Sequence, residues 1–126
     1  MLNLDTHILL HALGGRLTAR ERVLLSRDSW SISAIVLWEI CQLQQLGRID
    51  LDLDDGDVRR ALARIQTWPL SWEVCRESCR LDITGDPADE LIGATSIVHG
   101  VPLVTRDQRL RRSKRIPLAR GVSWEA

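Results

Sequence analysis

The chain has no phenylalanine, no tyrosine, a single lysine, three cysteines and four prolines among its 126 residues. Each shortage narrows the reading. Without Phe or Tyr, the interleaved base-stacking aromatics of a single-strand-binding platform are not evident, and the five tryptophans are expected to give the core its aromatics. Cys41, Cys75 and Cys79 form no C-x-x-C pair and lie far from the histidines, so reduced, partly buried cysteines fit better than a zinc site. No apolar stretch approaches the roughly 20 residues that cross a bilayer. The N-terminus shows no basic segment followed by an apolar run and a small-residue cleavage site, so a cytoplasmic location without membrane contact is expected. The hydrophobic share is 44% and the charged share 27%, enough for one core; a single domain over residues 1–126 is expected.

Net charge is zero but unevenly spread. Residues 1–103 carry 10 basic and 15 acidic side chains, whereas residues 104–126 carry 7 basic and 2 acidic ones. A basic C-terminal segment on an acidic body is what a polyanionic partner selects, although a solvated basic face gives the same pattern. Familiar nucleotide and hydrolase motifs are missing: there is no G-x-G-x-x-G, no P-loop and no G-x-S-x-G. His7 and His11 are four apart, but Ile8 follows His7, so there is no H-E-x-x-H and either histidine packs or lies at the surface. The acidic stretch from Asp50 to Asp57 resembles a calcium loop, but its glycine falls one place late and Ala61 stands where the closing Glu belongs. It reads as a solvated turn.

What is present is an alternation of short apolar runs and helical stretches, the pattern of βα units around a parallel sheet and hence of an α/β fold. Strands are expected at Met1–Leu4, Trp30–Ile32, Pro102–Thr105, and more briefly at Leu70–Ser71 and Val122–Trp124. Helices are expected over Thr6–Leu13, from a Thr18–Glu21 capping box to Ser26, over Ala34–Leu46 behind Ser33, over Val58–Thr67 behind Asp57, over Trp72–Leu81, and from Pro87 to His99 behind Asp86.

On that frame four carboxylates sit awkwardly. Asp5 ends the first apolar run, Glu39 interrupts Ile35–Ile40, Asp89 lies in the first turn of an apolar helix, and Asp107 follows Val101–Val104. Each has a plain structural reading: Asp5 and Asp107 as local caps, Asp89 as a helix-dipole partner, Glu39 at the edge of a buried stripe. Jointly they suit a pocket for divalent cations, because carboxylates crowded together repel until a bound cation keeps them ionised. Mg²⁺ or Mn²⁺ takes such hard oxygen ligands, and Asp86 ranks as a second-tier member.

Leu4-Asp5-Thr6-His7, Ser33-Ala34-Ile35-Val36-Leu37-Trp38-Glu39-Ile40, Gly85-Asp86-Pro87-Ala88-Asp89-Glu90-Leu91-Ile92-Gly93-Ala94-Thr95 and Leu103-Val104-Thr105-Arg106-Asp107 resemble the corresponding segments of PIN-domain ribonucleases, and among them the VapC toxins of bacterial toxin–antitoxin pairs. The resemblance covers nearly the whole chain. It implies a three-layer α/β/α domain with a central parallel sheet. It implies a Mg²⁺- or Mn²⁺-dependent endoribonuclease that hydrolyses RNA phosphodiesters with a metal-activated water. Asp5, Glu39, Asp89 and Asp107 match the family's acidic quartet, Asp86 an additional acid, and Thr6 and Thr105 small hydroxyl residues beside the pocket. A homodimer and a cognate antitoxin follow from the same resemblance. Two positions depart from the pattern: Glu90 replaces an Arg, and Asn3 stands where an apolar or acidic residue is usual. Arg109, Arg111, Arg112, Lys114 and Arg115 are the expected contacts to the RNA backbone. The competing readings are a catalytically silent PIN-like module that binds RNA or protein, which has no need of four clustered acids, and a phosphate-accepting receiver domain. The latter needs a strand-end lysine, whereas Lys114 lies in the basic tail.

Overall fold

Short apolar runs become strands here because both faces of the sheet are covered. The computed structural model describes residues 1–120. Four strands, β1 (Leu2–Leu4), β2 (Trp30–Ser33), β3 (Gln66–Trp68) and β4 (Leu103–Val104), form an all-parallel sheet in the order β3-β2-β1-β4. Helices flank it: α1 (Thr6–Leu13), α2 (Ala19–Ser26), α3 (Ala34–Gln45), α4 (Gly56–Ala63), α5 (Trp72–Ser78), α6 (Pro87–His99) and α7 (Gln108–Arg111). The result is the three-layer α/β/α arrangement, with α3 and α5 both packed on α6. Its core is aliphatic: Leu4, Ile8, Leu9, Ile32, Val36, Ile92, Leu103 and Val104 are all at most 1% exposed. Burying each such side chain contributes on the order of 1.5–3 kcal/mol.

The helix starts follow their local signals. Thr18 and Glu21 close a reciprocal capping box at the head of α2, Ser33 accepts from the Ile35 amide, and Asp86 accepts from the Asp89 amide with Pro87 behind it. Gly100, with φ of +65°, ends α6 in a left-handed turn that a side chain would strain. Several expectations fail, and the helix placed over Trp72–Leu81 ends at Ser78. The helix placed over Val58–Thr67 stops at Ala63, and the strand placed at Leu70–Ser71 lies instead at Gln66–Trp68. Pairing of Ser31 with Gln66 and Ile32 with Thr67 gives this stretch a ladder that a longer helix would forfeit, and β-branched Thr67 with Trp68 suits a pleated edge. Ser71 caps α5, accepting from the Val74 amide. The four described tryptophans do not fill the core: Trp38 is 57% exposed, Trp72 is 74% exposed, and Trp30 and Trp68 are only half-buried. Trp68 instead stacks on His99, ring centroids 4.0 Å apart. Likewise Cys41 and Cys79 are exposed, and only Cys75 is partly buried. The strand expected at Val122–Trp124 lies outside the described residues; Leu118 makes the parallel bridge beside Leu103.

The strand order carries the functional consequence. The chain steps from β1 to β2 to β3 in one direction, then returns to place β4 on the other side of β1. Ligands of open parallel sheets bind beyond the carboxyl ends of strands at such a reversal. Asp5 follows β1 and Thr105-Arg106-Asp107 follow β4, so this crevice is bordered by carboxylates.

Candidate functional site

Asp5 occupies the turn from β1 into α1. One of its oxygens accepts from the Ile8 amide at 2.8 Å, capping the helix, and the other accepts from the Thr105 hydroxyl across the β1–β4 reversal. The Thr105 oxygen in turn accepts from the Asp107 amide at 3.0 Å. Asp107 caps α7 through the Arg109 amide at 2.8 Å. Glu39, one turn into α3, receives the Thr6 hydroxyl. Asp86 and Asp89 arrive on the first turn of α6, joined by the Asp89 amide donating to Asp86 at 2.9 Å. Asn3 steadies that helix against the sheet. Fully buried in mid-strand, it donates to the Ser96 hydroxyl at 2.9 Å and to the Ile92 carbonyl at 3.3 Å. A polar residue at this central strand position is therefore a tie between β1 and the helix that carries Asp86 and Asp89.

These segments meet at a single cleft of about 280 Å³, lined by Asp5, Thr6, His7, Glu39, Asp86, Asp89, Asp107 and Arg109. The electrostatics register the crowding. Burial pushes the Asp89 carboxyl up to about 7, helped by the charges of Asp86, Asp107 and Glu39. Burial also raises Asp5 and Glu39 above the usual carboxylate range, in each case against a hydroxyl hydrogen bond that favours the ionised form. Nearby His7 draws both downward but does not outweigh burial.

Among the described residues no three of these side chains are gathered into a ready coordination set for one ion. Mg²⁺ keeps several of its waters and is held by one or two carboxylates together with substrate oxygens. All the acidic lining groups are oxygen donors, the softer ligands Cys and Met being absent from the lining.

The basic segment divides. Arg109 lines the cleft. Arg111 donates to the Thr105 carbonyl at 3.1 Å and lines a separate cavity. Arg112 and Lys114 are exposed, with the Lys114 amide bonded to Asp82 at 2.7 Å. Arg115 is engaged elsewhere, pairing with Glu77 and donating to the Arg80 carbonyl, which ties this segment to α5. Sequence reasoning overlooked His7 in the cleft; its place in the first helical turn after Asp5 was the available signal. It also overlooked Glu21, which is 1% exposed and receives Arg106 at 2.6 and 2.5 Å. No local pattern joins residues 85 apart.

Beside the acidic cleft, and sharing Glu39 and Asp86 with it, opens an apolar groove of about 520 Å³ lined also by Ile35, Trp38, Leu70 and Pro87. No helix among the described residues is long and apolar enough to cross a membrane.

The sequence matches the PIN domain family over residues 3–116. It is 34% identical over 96 residues to Ribonuclease VapC22 of Mycobacterium tuberculosis, covering 74% of each chain. In solved structures, a toxin–antitoxin complex from Klebsiella pneumoniae aligns with a TM-score of 0.72 at 18% identity, over 94% of this chain and 97% of the other. VapBC2 from Rickettsia felis, bound to a DNA fragment from its promoter, aligns with a TM-score of 0.70 at 20% identity, over 94% of this chain and 98% of the other.

Proposed function

Because the chain belongs to the PIN domain family, we propose that it is a divalent-metal-dependent endoribonuclease and the toxin of a toxin–antitoxin pair. The observation that carries this reading is the meeting of acids from four separate segments on one cleft at the sheet reversal. The similarity to a named ribonuclease supports the reaction class, and the likeness to toxin–antitoxin complexes agrees with it at the level of fold.

In this reading Asp5, Glu39, Asp89 and Asp107 hold Mg²⁺ or Mn²⁺, with Asp86 beside them. When bound, the ion supplies a water acidic enough to act near neutral pH and neutralises charge on the phosphodiester. The chain's own residues position the rest. Thr105 and Thr6 each fix one oxygen of Asp5 and Glu39, so these carboxylates meet a ligand in one orientation. Arg109 offers a guanidinium to a phosphate approaching a surface that is otherwise anionic. Arg112 and Lys114 extend that attraction along the strand, whereas Arg111, bonded to the Thr105 carbonyl, and Arg115, paired with Glu77, do so only by shifting from those partners. A cognate antitoxin and a homodimer complete the proposal. The exposed Trp38 and Leu70 of the neighbouring groove support a partner that covers apolar surface.

The test is cleavage of a structured RNA by the purified chain with Mn²⁺, with EDTA, and after Asp89→Asn. Products with 5′-phosphate ends in the first case alone support the proposal. Equal cleavage in all three would remove it. RNA bound but left whole under every condition would favour the silent binding module instead.

A further inference from the structure

Helices α1 and α3 lie against each other and end in the same way. Each closes on a glycine in the left-handed region, Gly15 and Gly47, both with φ of +69°. An arginine follows each glycine, and its amide returns to the helix: Arg16 to the His11 carbonyl at 2.8 Å, Arg48 to the Leu43 carbonyl at 2.9 Å. This closure pins both arginine backbones. Their side chains then line one cavity of about 590 Å³. Cations favour helix carboxyl ends, which accounts for arginine at these positions. It does not account for the company they keep: among the described residues neither guanidinium is paired with a carboxylate, and Asp50 is the single acid in the lining.

The rest of the wall has a different chemistry. Leu10, Ile49 and Leu51 are half-buried, pack on the core and give the cavity an apolar side. His7 and His11, one helical turn apart on α1, stand beside them. Burial, then the charge of Arg106, lowers His11 and favours its neutral imidazole, a flat ring of the kind that stacks on a base. An apolar wall bearing such a ring, with two exposed cations beside it, suits the two halves of a nucleotide. The place agrees with the reading of the acidic cleft. His7 lines both cavities, so this one opens directly beside the carboxylates. From His7 to Gly14 its lining runs about 10 Å along α1. A strand with one phosphodiester at the acids therefore continues along α1 onto Arg16 and Arg48.

We propose that this cavity seats one nucleotide of the RNA strand next to the phosphodiester that is cut, its base against His11 and the apolar wall and its phosphate on Arg16 and Arg48. The proposal rests on the nuclease reading, and it names which part of the molecule beyond the acids grips the substrate.

The experiment uses the full chain carrying Asp89→Asn, so that RNA stays whole. Fluorescence anisotropy measures its affinity for a single-stranded RNA oligonucleotide of mixed sequence and for an abasic ribose-phosphate strand of the same length, from about 50 to about 300 mM salt. Adding Arg16→Ala and Arg48→Ala is expected to weaken both probes about tenfold and to make the slope of log K against log salt shallower by about 1.4, the loss of two phosphate contacts. His11→Ala is expected to weaken the RNA about tenfold while leaving the abasic strand and the slope unchanged, and His11→Phe to recover the loss. Should the alanine pair fail to fold, Arg16→Gln with Arg48→Gln decides in its place. An unchanged slope in the folded arginine pair overturns the subsite. So does a His11→Ala chain that binds RNA as the parent does, or that loses both probes equally. Cleavage of structured RNA in Mn²⁺ by the chain with Asp89 intact separates the two readings. Binding with the expected dependence but no cleavage removes the nuclease reading and leaves the subsite standing; cleavage with none of that dependence does the reverse.

Discussion

Asp89 and Thr105 show most clearly how single residues decide this site. Asp89 is the carboxyl that its surroundings hold near 7, through burial first and then the charges of Asp86, Asp107 and Glu39. Asn at this position keeps the shape and removes the charge. Cleavage is expected to fall at least about 100-fold in a single-turnover assay. The metal-free fold at pH 8 is expected to gain about 1–2 kcal/mol in urea titration, a modest figure because water still reaches this carboxyl and screens it. Thr105→Val acts in the opposite sense. It leaves one oxygen of buried Asp5 without its hydroxyl donor and the Asp107 amide without its acceptor. The expected cost is about 1–3 kcal/mol of stability, and activity lower by about 10- to 100-fold as the acids lose their orientation. A loss of stability with unchanged activity would show that Thr105 serves the fold alone.

At the scale of elements, α6 must lie close to the segment after α7 for its acids to reach the cleft. Gly93 permits this: a Cβ there would stand 2.6 Å from Ile116 Cδ1 and 3.3 Å from its Cγ1. In a solvated helix Gly93→Ala would stabilise by about 1 kcal/mol. Here, where Ile116 is buried, it is expected to cost about 1–2 kcal/mol, and adding Ile116→Val should recover part of that in a double-mutant cycle read by chemical denaturation. Additive costs would disprove the contact. The same scale explains what could be read in advance. Helix starts at Thr18, Ser33 and Asp86 were legible because a cap is a contact between residues two or three apart. The acids were legible because each broke a local apolar pattern. The edge strand Gln66–Trp68 was not, since its ladder with β2 is a contact across 35 residues. The pairs Arg106–Glu21 and Arg115–Glu77 escaped for the same reason, and the exposure of Trp38 and Trp72 escaped because composition does not say which hydrophobes a fold leaves outside.

At the scale of the whole molecule, the site and the scaffold titrate in opposite directions. Asp5, Glu39 and Asp89 are raised in the folded state, so they favour folding while protonated and lose that contribution as pH climbs above the ordinary carboxylate range, for Asp89 through about 7. Glu21 is lowered by Arg106, so its contribution is complete above the ordinary Glu range and disappears only in stronger acid. The metal-free chain is thus expected to melt lower at pH 8 than at pH 5, by about 3–6 °C for each kcal/mol. Millimolar Mg²⁺ should restore the difference at pH 8, and Asp89→Asn should flatten it; a melting temperature that rises from pH 5 to pH 8 in EDTA would contradict this. The central claim is that the acidic cleft binds divalent cations, and calorimetric titration of Mn²⁺ at pH 7 in buffers of differing ionisation enthalpy tests it most directly. The account predicts saturable binding that releases protons, because burial and the neighbouring acids hold Asp89 up to about 7, with both signals reduced by Asp89→Asn. Binding that is absent, or identical in the variant and without proton release, would contradict it.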